Sequence, residues 1–289
     1  MYPQSQNLQK KERHEVMRET KELNKYSDYL FQRELAQGTI GIYTKQAALL
    51  LDYLSGRPIT KREMMAYKSL LYSQGRKAST VNLYIVAVNS YLKYAGYEDC
   101  TIRTERLQRN SYPENVISVS EYRQMISYAR ESGREKYYYL IRVLVFTGIR
   151  VSELAFLTAE VLPLGKFMVV NKGRAREVYL PARLVAELNE YCRLEQIQSG
   201  VIFMGNSSRP ISRIAVYKML IHMADMVGVE KKKAHPHSFR HLFAVTYMKQ
   251  YANLTELADI LGHSSLETTR IYTATTPEEK RSKLDGLEF

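Results

Sequence analysis

Tryptophan is absent from this chain of 289 residues, and cysteine occurs only twice, as Cys100 and Cys192. The two cysteines lie far apart and have no partners at the spacing of zinc ligands, so we expect reduced thiols and no bound metal. No apolar run approaches the roughly 18 residues of a membrane helix. The N-terminus is charged and lacks the apolar core of a signal peptide. The sequence therefore predicts a cytoplasmic protein with no membrane partner.

Acidic residues are too few to balance the basic ones, and the net charge is +12. Residues 1–117 hold 18 Lys/Arg against 12 Asp/Glu, and residues 118–289 hold 24 against 18, so each part carries +6. Basic chains favour polyanions, and nucleic acid is the commonest such partner. The even distribution predicts two basic modules with nucleic acid between them. Charge alone leaves open a basic protein without this role.

Apolar periodicity and turn signals divide the chain into four segments. Capping boxes are expected at Thr60-Lys61-Arg62-Glu63 and at Ser118-Val119-Ser120-Glu121. We predict a flexible arm over 1–20, a compact four-helix module over 21–98, a basic linker over 99–117 and a second domain over 118–289. Arg103, Arg106 and Arg109 make the linker basic and are candidate DNA contacts.

The second domain is predicted to be mainly helical, with one β-hairpin whose turn is formed by residues 171–173. Further helices are expected near 137–146, 181–197, 211–227, 238–250 and 253–261, and a last helix over about 277–287. The fold class is therefore mainly α with a small β-sheet.

Cleavage of a phosphodiester without a metal needs cations on the non-bridging oxygens, a nucleophile and an acid for the leaving oxygen. Arg150 follows an apolar helix and a Thr-Gly break, and Glu153 is its predicted partner. Arginine suits this role because its planar fork binds phosphate through two parallel bonds. A purely structural Arg–Glu pair fits the motif equally well.

His237 and Arg240 are three residues apart and share a helix face. Arg240 could bind phosphate while His237 moves a proton, although His235 and His241 are nearby alternatives that spacing does not exclude. His263 lies at a helix start, where it could donate to an oxyanion or be an ordinary surface residue.

The predicted hairpin carries three further cations. Lys172 at its tip could protonate a leaving oxygen, or it could be a solvated turn lysine. Arg174 and Arg176 are predicted to contact the DNA backbone. Tyr272 is the candidate nucleophile, nine residues after His263, and its phenol, with an ordinary pKa near ~10, needs neighbours that accept its proton or stabilise the phenolate.

Together these motifs resemble the tyrosine recombinases, the phage-integrase family. The family pattern T-G-x-R-x-S-E-L matches 147–154, the hairpin lysine matches Lys172, H-x-L-R-H matches 237–241, and L-G-H-x-x-x-x-T-x-x-x-Y matches 261–272. Asn171 replaces the usual glycine before the lysine, and Phe239 replaces the usual leucine. The resemblance extends from about residue 21 to the end, because the four-helix module over 21–98 resembles the family's core-binding, SAM-like DNA-binding domain.

The resemblance implies a two-domain, C-shaped clamp on double-stranded DNA and a strand exchange that needs neither metal nor other cofactor. Arg150, Arg240 and His263 would hold the scissile phosphate, and Tyr272 would form a 3′-phosphotyrosine. Lys172 would protonate the 5′-oxygen, and His237 would assist proton transfer at the tyrosine. The family works as a tetramer on two DNA sites through a Holliday junction, and its C-terminal helix docks on a neighbouring subunit. Accessory DNA-bending proteins are compatible with this, as is association with the bacterial nucleoid.

Two other functions remain compatible with the sequence. A type IB topoisomerase-like enzyme shares the tyrosine chemistry but reseals DNA without exchanging partners. A DNA-binding regulator on a retired recombinase scaffold would have lost a catalytic residue, whereas all six candidates are present here.

Overall fold

The computed structural model describes residues 20–107, 115–171, 173–206, 208–263, 265–273, 281–282 and 284–287. The chain divides into two compact units, one ending at Arg109 and the other beginning at Asn110. This division falls inside the segment 99–117 that the sequence assigns to the linker. Each unit has its own apolar core.

The described residues of the first unit, 20–107, form four helices and a short 3-10 turn. Thr60 caps the third helix, since its side chain accepts from the backbone N–H of Glu63. This is half of the predicted capping box, because the carboxylate of Glu63 accepts from Arg57 instead. The core between the helices includes Tyr26, Leu50 and Ile85, which are essentially fully buried. The helices are α1 (20–32), α2 (Gln37–Leu54), α3 (Lys61–Ser73) and α4 (Ala78–Tyr94), followed by the 3-10 turn Glu98–Cys100.

Extended chain after this turn is bound along α4 by two asparagines. Asn89 donates to the carbonyl of Ile102 at 2.8 Å and accepts from its N–H at 3.0 Å. Asn82, two helical turns earlier, makes the same pair of bonds with Glu105, both at 2.9 Å. Each amide thus replaces the partner that a neighbouring strand would supply. The first part of the predicted linker is consequently attached to the first unit.

The second unit is mainly helical with a single described sheet of two strands. The helices are α5 (Val119–Glu131), α6 (Glu135–Thr147), α7 (Ala182–Leu194), α8 (Arg213–Met226), α9 (Pro236–Tyr251), α10 (Leu254–Leu261) and α11 (Leu266–Thr269). Strands β1 (Lys166–Asn171) and β2 (Arg174–Tyr179) pair antiparallel, with Asn171 opposite Arg174. The predicted fold class, mainly α with a small β-sheet, is confirmed.

Helix α6 lies in the middle of the second core. Its residues from Tyr138 to Leu144 are all buried, and it packs on α5, α7 and α9. The capping box that the sequence predicts at the start of α5 is confirmed, because Ser118 and Glu121 each accept the other's backbone N–H. Among the described residues, no helix combines the length and apolarity needed to cross a bilayer.

The hydrogen bonds from Asn89 and Asn82 should contribute to the stability of the first unit. We expect Asn89→Ala to lower its free energy of unfolding by about 1–3 kcal/mol, because two backbone groups of the buried Ile102 lose their partners. Asn82→Ala is the matched control, and it should cost less since its partner Glu105 is exposed. Chemical denaturation and proteolysis of segment 101–107 measure both effects. An Asn89→Ala protein as stable and as protease-resistant as the unaltered one would contradict this account.

Candidate active site

The turn after α6 brings Arg150 to the site. Gly148 ends the helix in the left-handed conformation, with φ of +59°. A Cβ on Gly148 would lie 2.5 Å from Cδ1 of Phe243 on α9, so this close approach also requires glycine. The chain leaves the core here and enters the 3-10 turn Val151–Phe156, with Arg150 immediately before it.

Glu153 is the buried anion of the site. Only 2% of its side chain is exposed, and its carboxylate accepts from both Arg150 and Arg176. The bond from Arg150 Nη1 is 3.0 Å, the bond from Arg176 Nη2 is 2.6 Å, and the backbone N–H of Arg150 donates at 2.8 Å. One carboxylate therefore fixes two guanidinium groups and the backbone N–H of Arg150. The predicted partnership of Arg150 with Glu153 is present.

Arg240 on α9 is the most deeply buried cation of the group. Its Nη1 donates to the carbonyl of Gly148 and its Nη2 to that of Leu261, both at 2.6 Å. Burial, followed by repulsion from Arg150, lowers the pKa of Arg240 to about 10. The guanidinium is still charged at neutral pH.

The carbonyls that receive these arginines lie at the C-terminal ends of two helices. Gly148 follows α6, while Leu261 ends α10. Arg176 Nη1 donates to Ile260 at 3.0 Å and Arg150 Nη2 to Gly262 at 3.3 Å, also at the end of α10. The last carbonyls of a helix have no partner within it and carry its partial negative charge. The arginines therefore find acceptors there without a second carboxylate.

His263 follows α10 and contacts Arg240. Its Nε2 lies 3.0 Å from Arg240 Nη2, and its Nδ1 lies 2.8 Å from Oγ1 of the buried Thr269. Arginine can only donate, so Nε2 accepts and Nδ1 carries the proton that it donates to Thr269. Burial, with repulsion from Arg240 next, lowers the pKa of His263 to about 4. His263 is therefore neutral, and the threonine connects it to the segment that carries Tyr272.

Tyr272 lies in the 3-10 turn that follows α11, with 8% of the residue exposed. Its hydroxyl is 2.6 Å from Nδ1 of His241, and the two ring centroids are 5.5 Å apart. Burial raises the pKa of Tyr272 to about 12 against the lowering effect of Arg240, and burial lowers that of His241 to about 4. The phenol and the imidazole are both neutral in this state.

His237 faces a different part of the site. It lines a cleft of about 510 Å³ together with Arg150, Ser152, Arg213 and Tyr217. Among the described residues, no hydrogen bond joins His237 to Tyr272, and its ring lies 6.4 Å from that of His241, centroid to centroid. Burial, with repulsion from Arg240 next, lowers the pKa of His237. His237 thus lies beside Arg150, at one end of the site. His241 is the histidine that contacts the tyrosine.

Arg176 differs most from its predicted role. The sequence assigns it to the DNA backbone, but its guanidinium points inward to Glu153 and the end of α10. Only 13% of its side chain is exposed, and burial is the main cause that lowers its pKa. It therefore joins β2 to the elements that carry Arg150 and His263. Because side chains alternate along a strand, the sequence places Arg174 and Arg176 on the same face of β2. It does not show whether that face is buried.

The remaining predicted residues lie apart from this cluster or outside the described residues. Arg103 and Arg106 are exposed in the extended segment of the first unit. Arg174 begins β2, and its side chain is not described. Lys172 and Arg109 lie outside the described residues. Within the part of the chain that the structure describes, no three His, Cys, Asp or Glu side chains group closely enough to hold a metal ion.

The contact between His241 and Tyr272 could not be deduced from the sequence spacing alone. The sequence named it beside His235 as an alternative to His237, without a criterion to choose. His235 is the N-cap of α9, where its Nδ1 accepts from the N–H of Ser238 at 3.1 Å. A histidine directly before a helix-starting proline predicts such a cap, and this signal would have removed His235 from the candidates.

Comparison with known families agrees with this geometry. The profile of the Phage integrase family matches residues 115–279, and that of the phage integrase N-terminal SAM-like domain matches residues 23–99. The chain therefore belongs to the phage integrase family, the tyrosine recombinases. It is a site-specific recombinase, an enzyme that cleaves and rejoins DNA.

Individual relatives are distant but cover most of the chain. The tyrosine recombinase XerA of Pyrococcus furiosus is 26% identical over 274 residues, which span 91% of this chain and 92% of the relative. The tyrosine recombinase XerD of Staphylococcus aureus is 26% identical over 272 residues, spanning 86% and 92%.

Two solved structures show the same fold. The Tn1549 transposon integrase in complex with transposon right end DNA has a TM-score of 0.72 at 15% identity, covering 92% of this chain and 99% of that one. The XerH site-specific recombinase bound to difH substrate has a TM-score of 0.68 at 20% identity, covering 86% and 79%.

Adding one methyl group at Gly262 tests whether the position of Arg176 matters for DNA cleavage. Gly262 has φ of +63°, and a Cβ there would lie 2.6 Å from Nε of Arg176. We expect Gly262→Ala to displace Arg176 and to slow DNA cleavage about 10- to 100-fold, as small misplacements of reacting groups do. The rate of covalent adduct formation on a DNA substrate measures this.

Gly228→Ala is the matched control for backbone strain. Gly228 has φ of +73° and open space around its Cβ position. This change should cost about 1 kcal/mol of stability and leave the cleavage rate unchanged. Equal cleavage rates for the two variants would show that Arg176 does not matter to the site.

Proposed function

We propose that this recombinase cleaves double-stranded DNA by attack of Tyr272 on the scissile phosphate, which leaves a 3′-phosphotyrosine and a free 5′-hydroxyl. The observation that carries this proposal is the placement of two adjacent residues of α9. Arg240 reaches the arginine cluster with its guanidinium, and His241 holds the hydroxyl of Tyr272 at 2.6 Å. The phosphate-binding groups and the nucleophile are thereby attached to one helical turn.

The charge of the cluster supports this reaction. Three guanidinium groups (Arg150, Arg176 and Arg240) and one carboxylate (Glu153) leave a net charge of +2, from 3 − 1. A phosphodiester carries one negative charge, and its pentacoordinate transition state carries two. Electrostatic catalysis requires fixed charge that matches the transition state better than the ground state. The cluster is preorganised for the additional charge.

We assign the remaining roles from the family motifs and the geometry together. Arg150 and Arg240 bind the non-bridging oxygens. His263 assists once Arg240 Nη2 turns to the phosphate and the ring proton of His263 moves to Nε2, which then donates to a phosphate oxygen. His237 contacts the DNA from the cleft beside Arg150. Lys172, which lies outside the described residues between Asn171 and Gly173, protonates the 5′-oxygen.

We also propose that four copies act on two DNA sites through a Holliday junction. Exchange between two duplexes requires four strand cleavages, and each chain supplies one Tyr272. Leu284 and Leu287 are 66% and 54% exposed, which supports docking of the C-terminal segment on a neighbouring copy. Arg103, Arg106, Arg109 and Arg174 are proposed contacts to the DNA backbone. The enzyme would act at the nucleoid, in the cytoplasm, with or without DNA-bending proteins.

Removal of the phenolic hydroxyl tests the nucleophile. We expect Tyr272→Phe to abolish the covalent protein–DNA adduct and to leave DNA affinity within a few-fold, because the ring still fills its buried site. Tyr251→Phe, at an exposed tyrosine of α9, is the control and should form adducts at the normal rate. Adducts are detected on denaturing gels. Their survival in Tyr272→Phe would refute the assignment, and their absence in the unaltered protein would favour a retired regulator.

Removal of metal ions tests the proposed metal independence. The three guanidinium groups supply the charge that a divalent ion supplies in metal-dependent phosphoryl transfer. We expect the cleavage rate to be unchanged in excess EDTA at constant ionic strength. Loss of cleavage in EDTA, with recovery on addition of Mg²⁺, would contradict the proposal.

A further inference from the structure

The hydroxyl of Tyr272 has one hydrogen-bonding partner among the described residues, the imidazole of His241. Two features of this contact bear on catalysis. The distance of 2.6 Å between Tyr272 Oη and His241 Nδ1 is at the short end for an O–H donor. The tyrosine is almost completely buried. Among the described side chains, His241 is therefore the group placed to take a proton from the phenol.

His241 is also able to hold the proton. Within the described part of the chain, no hydrogen bond engages its second nitrogen, Nε2, and the residue is half-buried. When Nε2 carries the ring proton, Nδ1 holds a lone pair that accepts the O–H of the tyrosine. The ring can thus take the phenolic proton at Nδ1 while Nε2 keeps its own. His237, one helical turn earlier, lines the cleft with Arg150 instead.

We propose that His241, rather than His237, accepts the proton of Tyr272 during DNA cleavage. This inference rests on the proposed role of Tyr272 as the nucleophile. The bond from the tyrosine oxygen to phosphorus forms while the bond from phosphorus to the 5′-oxygen breaks. The phenolic proton moves to Nδ1 and leaves an imidazolium, and the 5′-oxygen takes a proton from Lys172. In rejoining, the 5′-hydroxyl returns its proton to Lys172 and attacks phosphorus. The bond from phosphorus to the tyrosine oxygen breaks, and the imidazolium returns its proton to that oxygen.

The resting state explains why the proton does not move before DNA binds. The high pKa of Tyr272 and the low pKa of His241 both favour the neutral pair. Burial, and then the nearby His237, His235 and Arg240, disfavour an imidazolium at His241. A developing bond to phosphorus acidifies the phenol, and the dianionic transition state stabilises the new cation. Proton transfer is therefore coupled to the attack and does not precede it.

His241→Asn separates proton transfer from positioning. The Oδ1 of asparagine can take the place of Nδ1 and hold the hydroxyl, but it does not accept the proton. We expect single-turnover cleavage about 100-fold slower or more, the usual share of general base catalysis, with DNA affinity retained. His222→Asn, at an exposed histidine of α8, is the control and should cleave normally. A His241→Asn enzyme within three-fold of the unaltered rate would overturn the proposal.

Imidazole rescue provides the second measurement. His241→Ala leaves a space beside the hydroxyl that opens to solvent, so added imidazole should restore cleavage in proportion to its neutral form. No restoration, in a variant that binds DNA normally, would show that His241 is not the proton acceptor. Tyr272→Phe distinguishes this failure from failure of the proposed function. If Tyr272→Phe still forms adducts the nucleophile is wrong, and if only the histidine results fail the nucleophile stands.

Discussion

Three buried or half-buried arginines with one carboxylate between them are the constraint on which the catalytic unit depends. Burial of cations is costly unless each one is paired or hydrogen-bonded. Glu153 supplies the only anion in direct contact with them among the described residues, and it holds Arg150 and Arg176. The rest of the compensation comes from carbonyls at the C-terminal ends of α6 and α10. The two helices must therefore end at one place, and Gly148 and Gly262 make those endings possible.

The same cluster ties together residues that are distant in the chain. Arg240 on α9 reaches the end of α6 and the end of α10, and Arg176 joins β2 to Glu153. His263 then connects Arg240 to Thr269, three residues before Tyr272. A displacement of any one of these groups is transmitted to the others through short, directional bonds. The proposed phosphate-binding residues and the proposed nucleophile consequently form one unit.

Much of this could be predicted from the sequence because local signals were strong. The capping box at Ser118, the turn between β1 and β2 and the apolar run of α6 all correspond to observed elements. The catalytic motifs identified Arg150, Arg240, His263 and Tyr272, which the structure brings together. The inward direction of Arg176 was missed, because strand alternation does not reveal which face is buried. The contact of His241 with Tyr272 was also missed, since it joins residues 31 apart and depends on packing.

In the resting site the side chains are already in place, but the tyrosine is still protonated. Its guanidinium groups are charged and fixed, whereas His241, His263 and Tyr272 are neutral because burial disfavours their charged forms. Bound DNA changes this balance by bringing negative charge to the cluster. Cleavage then needs little rearrangement of charged groups, which is the advantage of a preorganised site.

The most direct test of this account is the single-turnover cleavage rate of Glu153→Gln, compared with its DNA affinity at the same salt concentration. Glutamine has nearly the same shape but leaves the arginines without their anion. If Glu153 preorganises the cluster, cleavage falls about 100-fold or more, the range seen when one electrostatic group is removed from an active site. DNA affinity should change little, because contacts to the rest of the duplex remain. A Glu153→Gln enzyme that cleaves at the normal rate would contradict the central claim.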